Sequence, residues 1–75
     1  MTPATKTVLE ALRTSHEGSE SHDADDQVWA DVYLDNAKPA GMSGHSWAGH
    51  LAALKAEGFY KQLDGIAFGE VRLTD

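Results

Sequence analysis

The sequence predicts a small α+β domain in which helices precede a C-terminal two-stranded β-hairpin. Two segments place apolar residues at helical spacing, and the second of them runs into a glycine that suits a helix end. The last apolar residues fall into two short runs separated by Asp64-Gly65, which is a strong hairpin signal. A chain of 75 residues is long enough for one domain with a thin core.

The first predicted helix begins near the N-terminus. Thr2 is a favourable N-cap, and Pro3 is tolerated at the first helical position. The apolar residues that follow at helical spacing are Val8, Leu9 and Leu12. Because this apolar stripe is narrow, the helix must pack on another element to be stable.

Residues 16–27 are predicted to form an acidic polar loop within the domain. The segment HEGSESHDADDQ contains five acidic residues and no large apolar one. His22, Asp23, Asp25 and Asp26 lie close together in the sequence, which raises the alternative of a metal site. Their spacing does not match the calcium-binding loop, because the required glycine and closing Glu are missing. We therefore predict no metal here.

Residues 28–36, VWADVYLDN, fit two secondary structures. With a period of two, Trp29 and Tyr33 point away from the core and form an exposed aromatic patch. With a period of 3.6, both belong to one buried helical face. The β-branched and aromatic composition favours a strand.

The second helix is predicted from an N-cap at Ser43 to about Glu57. A turn at Lys38-Pro39-Ala40-Gly41 precedes it. Its buried stripe consists of Trp47, Leu51 and Leu54, and Gly58 then takes the left-handed conformation that ends many helices.

Two strands are predicted after this helix. Residues 59–63 form the first strand, and Asp64-Gly65 the turn. Residues 68–73 form the second strand, in which Gly69 interrupts the alternation and is predicted to mark a bulge.

The pattern L-x-x-L-x-x-x-G-F-Y at Leu51–Tyr60, followed by a hairpin, resembles the winged helix-turn-helix family. The resemblance implies a winged-helix domain covering residues 1–75, with residues 43–57 as the recognition helix and the hairpin as the wing. It places the family's second helix at residues 28–36, and on this ground we choose the helical interpretation there. It also implies a DNA-binding transcriptional regulator whose recognition helix enters the major groove.

The residues that this resemblance makes candidates for double-stranded DNA contact are polar or basic. They are Ser43, His45, Ser46, His50, Lys55, Lys61 and Arg72. One subunit carries few cations for tight binding, so a dimer is expected to bind more strongly.

An alternative function is an acidic winged-helix protein-interaction module that has lost DNA binding. The predicted outward face of the second helix lacks the Arg, Lys, Asn and Gln side chains that usually read bases. It carries the small residues Gly49, Ala52, Ala53 and Ala56, which would let a protein partner or a second copy approach closely. Alanines also raise helix propensity on a solvated surface, which is a sufficient reason for them on its own.

Charge and composition restrict the function further. The net charge is -6, which argues against indiscriminate nucleic-acid binding, and residues 1–41 carry eight of the twelve acidic residues. There is no Cys, and no nucleophile, phosphate-loop or zinc-protease motif, so we predict no enzymatic activity and no cofactor. No apolar run is long enough for a membrane span, and a cytoplasmic protein without membrane contact is expected.

Overall fold

The protein has a four-stranded antiparallel sheet with helices on one face. The computed structural model describes residues 1–22, 25–63 and 68–75. Within these residues the elements are α1 (Pro3–Thr14), β1 (His16–His22), β2 (Val28–Tyr33), α2 (Leu34–Ala37), α3 (Gly44–Ala56), β3 (Tyr60–Gln62) and β4 (Phe68–Arg72). The predicted α+β class and the two C-terminal strands are confirmed. The predicted turn at Asp64-Gly65 lies outside the described residues.

The sheet has the strand order β1-β2-β4-β3, and every neighbouring pair is antiparallel. The C-terminal strand β4 therefore lies inside the sheet. Val71 is opposite Ala30 on β2 and Tyr60 on β3, and these three residues share the sheet face that packs against the helices. Val71 is fully buried.

Helix α1 begins as the sequence predicts. The amide of Thr5 donates a hydrogen bond of 3.1 Å to the hydroxyl of Thr2, which is the N-cap. The predicted stripe of Val8, Leu9 and Leu12 is buried, and the helix packs against α3. Burial of this stripe supplies the packing that a narrowly amphipathic helix needs.

Helix α3 also agrees with its prediction. The Ser43 hydroxyl accepts a hydrogen bond of 3.1 Å from the Ser46 amide, so Ser43 is the N-cap. The inward residues Trp47, Leu51 and Leu54 are buried. Gly58 has φ of 85° and follows the helix end, where a side chain would strain the backbone.

The predicted acidic loop at residues 16–27 is wrong over His16–His22, which form strand β1 and pair with β2. An edge strand is held by backbone hydrogen bonds and can keep polar side chains in solvent, so it needs no apolar alternation. The pairing is irregular between His16 and Glu20. The rest of the predicted loop falls partly on residues 23 and 24, which lie outside the described residues.

The helix predicted for residues 28–36 is also wrong. Residues Val28–Tyr33 form strand β2, and only Leu34–Ala37 are helical. The β-branched and aromatic composition agrees with the strand, which pairs with β1 on one side and β4 on the other. The exposed aromatic patch of the strand interpretation is half right: Tyr33 is 49% exposed, whereas Trp29 is 5% exposed.

Gly69 does not mark a bulge, because β4 keeps a regular register with both neighbours around it. The glycine instead leaves space for the Tyr60 ring. A Cβ atom at position 69 would lie 2.5 Å from the Tyr60 hydroxyl oxygen and 2.8 Å from the Lys61 carbonyl oxygen. The small residue is therefore required by packing across the β3–β4 pair.

We predict that Gly69→Ala lowers the free energy of unfolding by about 1–3 kcal/mol, because the added methyl group overpacks a site bounded by backbone. The matched control is Gly49→Ala, since position 49 lies inside α3 and a Cβ there meets nothing within 4 Å. That change should stabilise the protein by about 0.5–1 kcal/mol. Urea unfolding followed by circular dichroism measures both, and equal effects of the same sign would contradict the packing assignment.

Candidate binding groove

An open groove of about 630 Å³ lies where α2, α3 and β3 meet. Buried side chains from all three elements line it, namely Leu34 of α2, Trp47 and Leu51 of α3, and Tyr60 of β3. Small residues of α3 form one wall, because Gly44, Ala48 and Ala52 also line the groove. We call this surface the α3 groove.

The sequence positions the walls of the α3 groove by local rules. Helix α2 ends at Ala37 because Lys38 precedes Pro39 and takes an extended conformation, with φ -62° and ψ 124°. Tyr60 packs over Gly69 and donates a hydrogen bond of 3.0 Å to the side-chain oxygen of Gln62. This contact fixes the phenol at the groove, and burial raises the pKa of Tyr60 above its ordinary value of 10.0.

The rim of the α3 groove carries charge. Lys38, Lys55 and Asp35 line it together with Gln62. Among the described residues neither Lys38 nor Lys55 forms an ion pair, although both are exposed. Their ammonium groups are therefore available to a bound molecule.

A second, shallower depression of about 640 Å³ continues from the α3 groove and shares Lys55, Tyr60 and Gln62 with it. Lys61, Arg72 and Trp29 also line this depression, as does Asp25. We call it the hairpin depression.

Aromatic rings position two cations of the hairpin depression. The Lys61 ammonium lies 3.9 Å from the centroid of the Trp29 ring, and the Arg72 guanidinium lies 3.9 Å from that of Phe59. The Arg72 Nε also donates a hydrogen bond of 2.9 Å to the carbonyl of Thr74. Cation–π contacts hold the positive charges near the surface without neutralising them. The Lys61 side chain thus covers part of Trp29, which lies on the outer sheet face and is 5% exposed.

The structure brings together three of the seven residues predicted to contact DNA, since Lys55, Lys61 and Arg72 all line the hairpin depression. It does not bring His50 to them. The Nδ1 atom of His50 lies 3.0 Å from the hydroxyl of Thr5 on α1, so this side chain is directed away from the depression.

The other predicted DNA-contact residues lie in the first turn of α3. Ser43, His45 and Ser46 are exposed there, and the Ser43 hydroxyl is already engaged as the helix N-cap. They line neither the α3 groove nor the hairpin depression.

The four residues of the predicted protein-contact face do not form one surface in the structure. Ala52 lines the α3 groove, whereas Gly49 and Ala56 are exposed outside it and Ala53 is half-buried. The groove wall is instead the series Gly44, Ala48 and Ala52, at every fourth residue. That spacing is visible in the sequence and could have identified this wall.

The groove residues from α2 and β3 are not indicated by the sequence pattern. Leu34 and Lys38 line the groove because β2 is a strand that leads directly into α2, and Tyr60 lines it because this ring packs over Gly69. The composition of residues 28–36 favours the strand, but no local sequence signal indicates that these residues meet α3 and β3 at one groove.

Within the described ranges, no group of three or more His, Asp and Glu side chains is arranged to hold a metal ion. None of the described helices is long and apolar enough to cross a membrane. No family model, no curated protein and no solved structure matches this chain.

The raised pKa of Tyr60 gives a test of the groove wall. In a Tyr33→Phe variant Tyr60 is the only tyrosine, and its absorbance titration should have a midpoint above 10.0. Because the folded state holds the neutral phenol, its contribution to stability is present below pH 10 and is lost as pH rises through the folded pKa. Adding Tyr60→Phe should remove this part of the alkaline destabilisation. A titration midpoint at or below 10.0 would show that the phenol is not buried in this wall.

Proposed function

We propose that the protein is a small winged-helix protein-interaction module that binds a partner in the α3 groove. The observation that carries this proposal is the groove itself. Its floor is formed by largely buried apolar side chains of three elements, and small residues of α3 form one wall. Ligand sites in proteins typically combine such a concave apolar surface with a few polar groups, and here Lys38, Lys55 and Gln62 supply them.

The order of elements supports the winged-helix part of the proposal. Helices α2 and α3 are separated by a turn that contains Pro39 and Gly41, and the β3–β4 pair follows α3 as a wing would. In this proposal α3 corresponds to the recognition helix. Two features depart from a simple winged helix: α2 has only four residues, and the strand β1 extends the sheet.

The side chains of α3 support a protein partner over a base-reading role. Along the groove the helix presents Gly44, Ala48 and Ala52, and its one cation there is Lys55. Direct readout of bases depends on Arg, Lys, Asn or Gln in the major groove. Close packing of small residues against another polypeptide needs none of these.

A neutral amphipathic helical peptide tests whether the α3 groove accepts a polypeptide. In a ¹⁵N–¹H correlation titration, the shifted resonances should cluster on groove residues such as Leu34, Ala48 and Tyr60. Ala48→Glu should abolish the shifts, because it puts a charge and added bulk into the groove wall. Ala56→Glu, which makes the same change at an exposed α3 position outside the groove, should retain them. Shifts that cluster on the outer sheet face around Tyr33 would contradict the proposal.

A second candidate function is DNA binding as a transcriptional regulator, as the family resemblance implies. It is favoured by one observation, that Lys55, Lys61 and Arg72 converge on the hairpin depression beside the proposed wing. Three cations of one subunit give a weak electrostatic attraction to phosphates, which a dimer would double.

Fluorescence anisotropy on random duplex DNA tests this second function. At about 20 mM salt, where the phosphate attraction is strong, a DNA-binding protein should bind measurably. Lys61→Ala should reduce the slope of log affinity against log salt by about one. Lys6→Ala, at an exposed position of α1 outside the hairpin depression, should leave it unchanged. Absence of binding at low salt excludes the DNA-binding function.

A further inference from the structure

The cations of this acidic chain are gathered on one side of it. Four of the six Lys and Arg residues line the α3 groove or the hairpin depression, and they are Lys38, Lys55, Lys61 and Arg72. The described acidic residues that line the same surfaces are Asp35 and Asp25. The side chains that line the two surfaces thus carry more positive than negative charge, although the net charge is -6 and Glu70 lies opposite Lys61 in the β3–β4 pair.

The shape of the α3 groove suits a helix. Gly44, Ala48 and Ala52 follow one another along a single ridge of α3 and leave a shallow channel between that helix and β3. From Gly44 to Lys55 this wall is roughly 16 Å long, which matches about three turns of a second helix. Small side chains at successive turns allow two helix axes to approach to about 8 Å.

A strand is a poorer fit at the same place. Strand β3 consists of Tyr60–Gln62, so its outer edge offers three residues of backbone for pairing. Recognition by strand addition depends on a row of main-chain hydrogen bonds, which such a short edge cannot provide.

We infer that the occupant of the α3 groove is an acidic amphipathic helix. This inference rests on the proposed function and adds the chemistry of the partner. The apolar face of the incoming helix packs on the exposed Ala48 and Ala52 and on the accessible edges of Trp47 and Leu51. Its Glu or Asp side chains pair with Lys38 and Lys55 on the rim. Lys61 extends the positive surface beyond the C-terminal end of α3.

The charge of the rim decides between acidic and basic partners. Lys38 and Lys55 have no ion-pair partner among the described residues and outnumber Asp35, the one described acidic residue of this rim, so an acidic side chain meets a positive balance of charge there. A basic helix meets like charge at both positions, and such juxtaposition discriminates strongly between partners.

Three synthetic peptides of equal length test the inference. The first is amphipathic with Leu on one face and Glu on the other, the second replaces every Glu by Lys, and the third has the composition of the first in a non-amphipathic order. Titration of the ¹⁵N-labelled protein gives both the dissociation constant and the site. The first peptide should bind in the α3 groove at least about tenfold more tightly than either of the others.

Charge reversal makes the test specific to the rim. Lys55→Glu should weaken binding of the acidic peptide about tenfold and strengthen binding of the basic one. The matched control is Lys6→Glu, which makes the same charge change at an exposed position on α1 and should leave both dissociation constants within about twofold. A dispersed correlation spectrum for each variant shows that the fold is retained.

The outcomes separate this inference from the proposed function. Binding of the basic peptide in the groove as tightly as the acidic one overturns the acidic partner and leaves the protein-interaction function intact. If none of the three peptides, nor the neutral peptide, perturbs groove residues, both are overturned. Groove shifts produced by a short DNA duplex and by no peptide also overturn both, in favour of the DNA-binding candidate.

Discussion

Strand β4 is the element on which the rest of the structure depends. It pairs with β2 on one side and with β3 on the other, so the sheet is continuous only through it. It also holds the first helix, because the Nε of Arg13 on α1 donates a hydrogen bond of 2.8 Å to the carbonyl of Arg72. The fully buried Val71 belongs to this strand and contributes to the core. Because a chain of this size has a thin core and is marginally stable, the loss of these contacts could not be offset elsewhere in the core.

The position of β4 also determines the α3 groove. Because Gly69 lacks a side chain, the Tyr60 ring can lie across it and reach Gln62 at the groove wall. Because β2 pairs with β4, the short helix α2 that follows β2 lies at the opposite wall, where Leu34 lines the groove. The small residues of helix α3 form the remaining wall of the open groove. The shape of the proposed binding surface is therefore a consequence of strand pairing. The cations on its rim add selectivity for acidic partners.

The parts of the fold that could be predicted are those with local signals. The N-caps Thr2 and Ser43 and the helix-ending Gly58 each act within a few residues, and α1, α3 and the two C-terminal strands follow from them and from apolar spacing. Strand β1 could not be predicted in this way, because a polar edge strand carries no apolar alternation. For strand β2 the β-branched composition indicates the correct structure, whereas the family resemblance favours a helix and is wrong there.

In the candidate site, too, some residues are indicated by local sequence signals and others are not. Lys55, Lys61 and Arg72 could be selected from the sequence as the cations of the C-terminal half, and they do line one depression. The place of His50 on α3 makes it a candidate as well, but its side chain contacts Thr5. The groove itself depends on residues far apart in the sequence, such as Leu34 and Tyr60, which only the sheet order brings together.

Native-state hydrogen exchange tests most directly the claim that β4 holds the structure together. Under conditions where exchange reports the opening equilibrium, the Val71 and Arg72 amides should exchange only by global unfolding, with the free energy obtained from denaturant titration. Amides of the edge strand β1, such as that of Ser21, should exchange through local opening at lower free energy. If the β4 amides exchange as readily as those of β1, the sheet does not depend on its C-terminal strand, and the dependence of the α3 groove on strand pairing is contradicted.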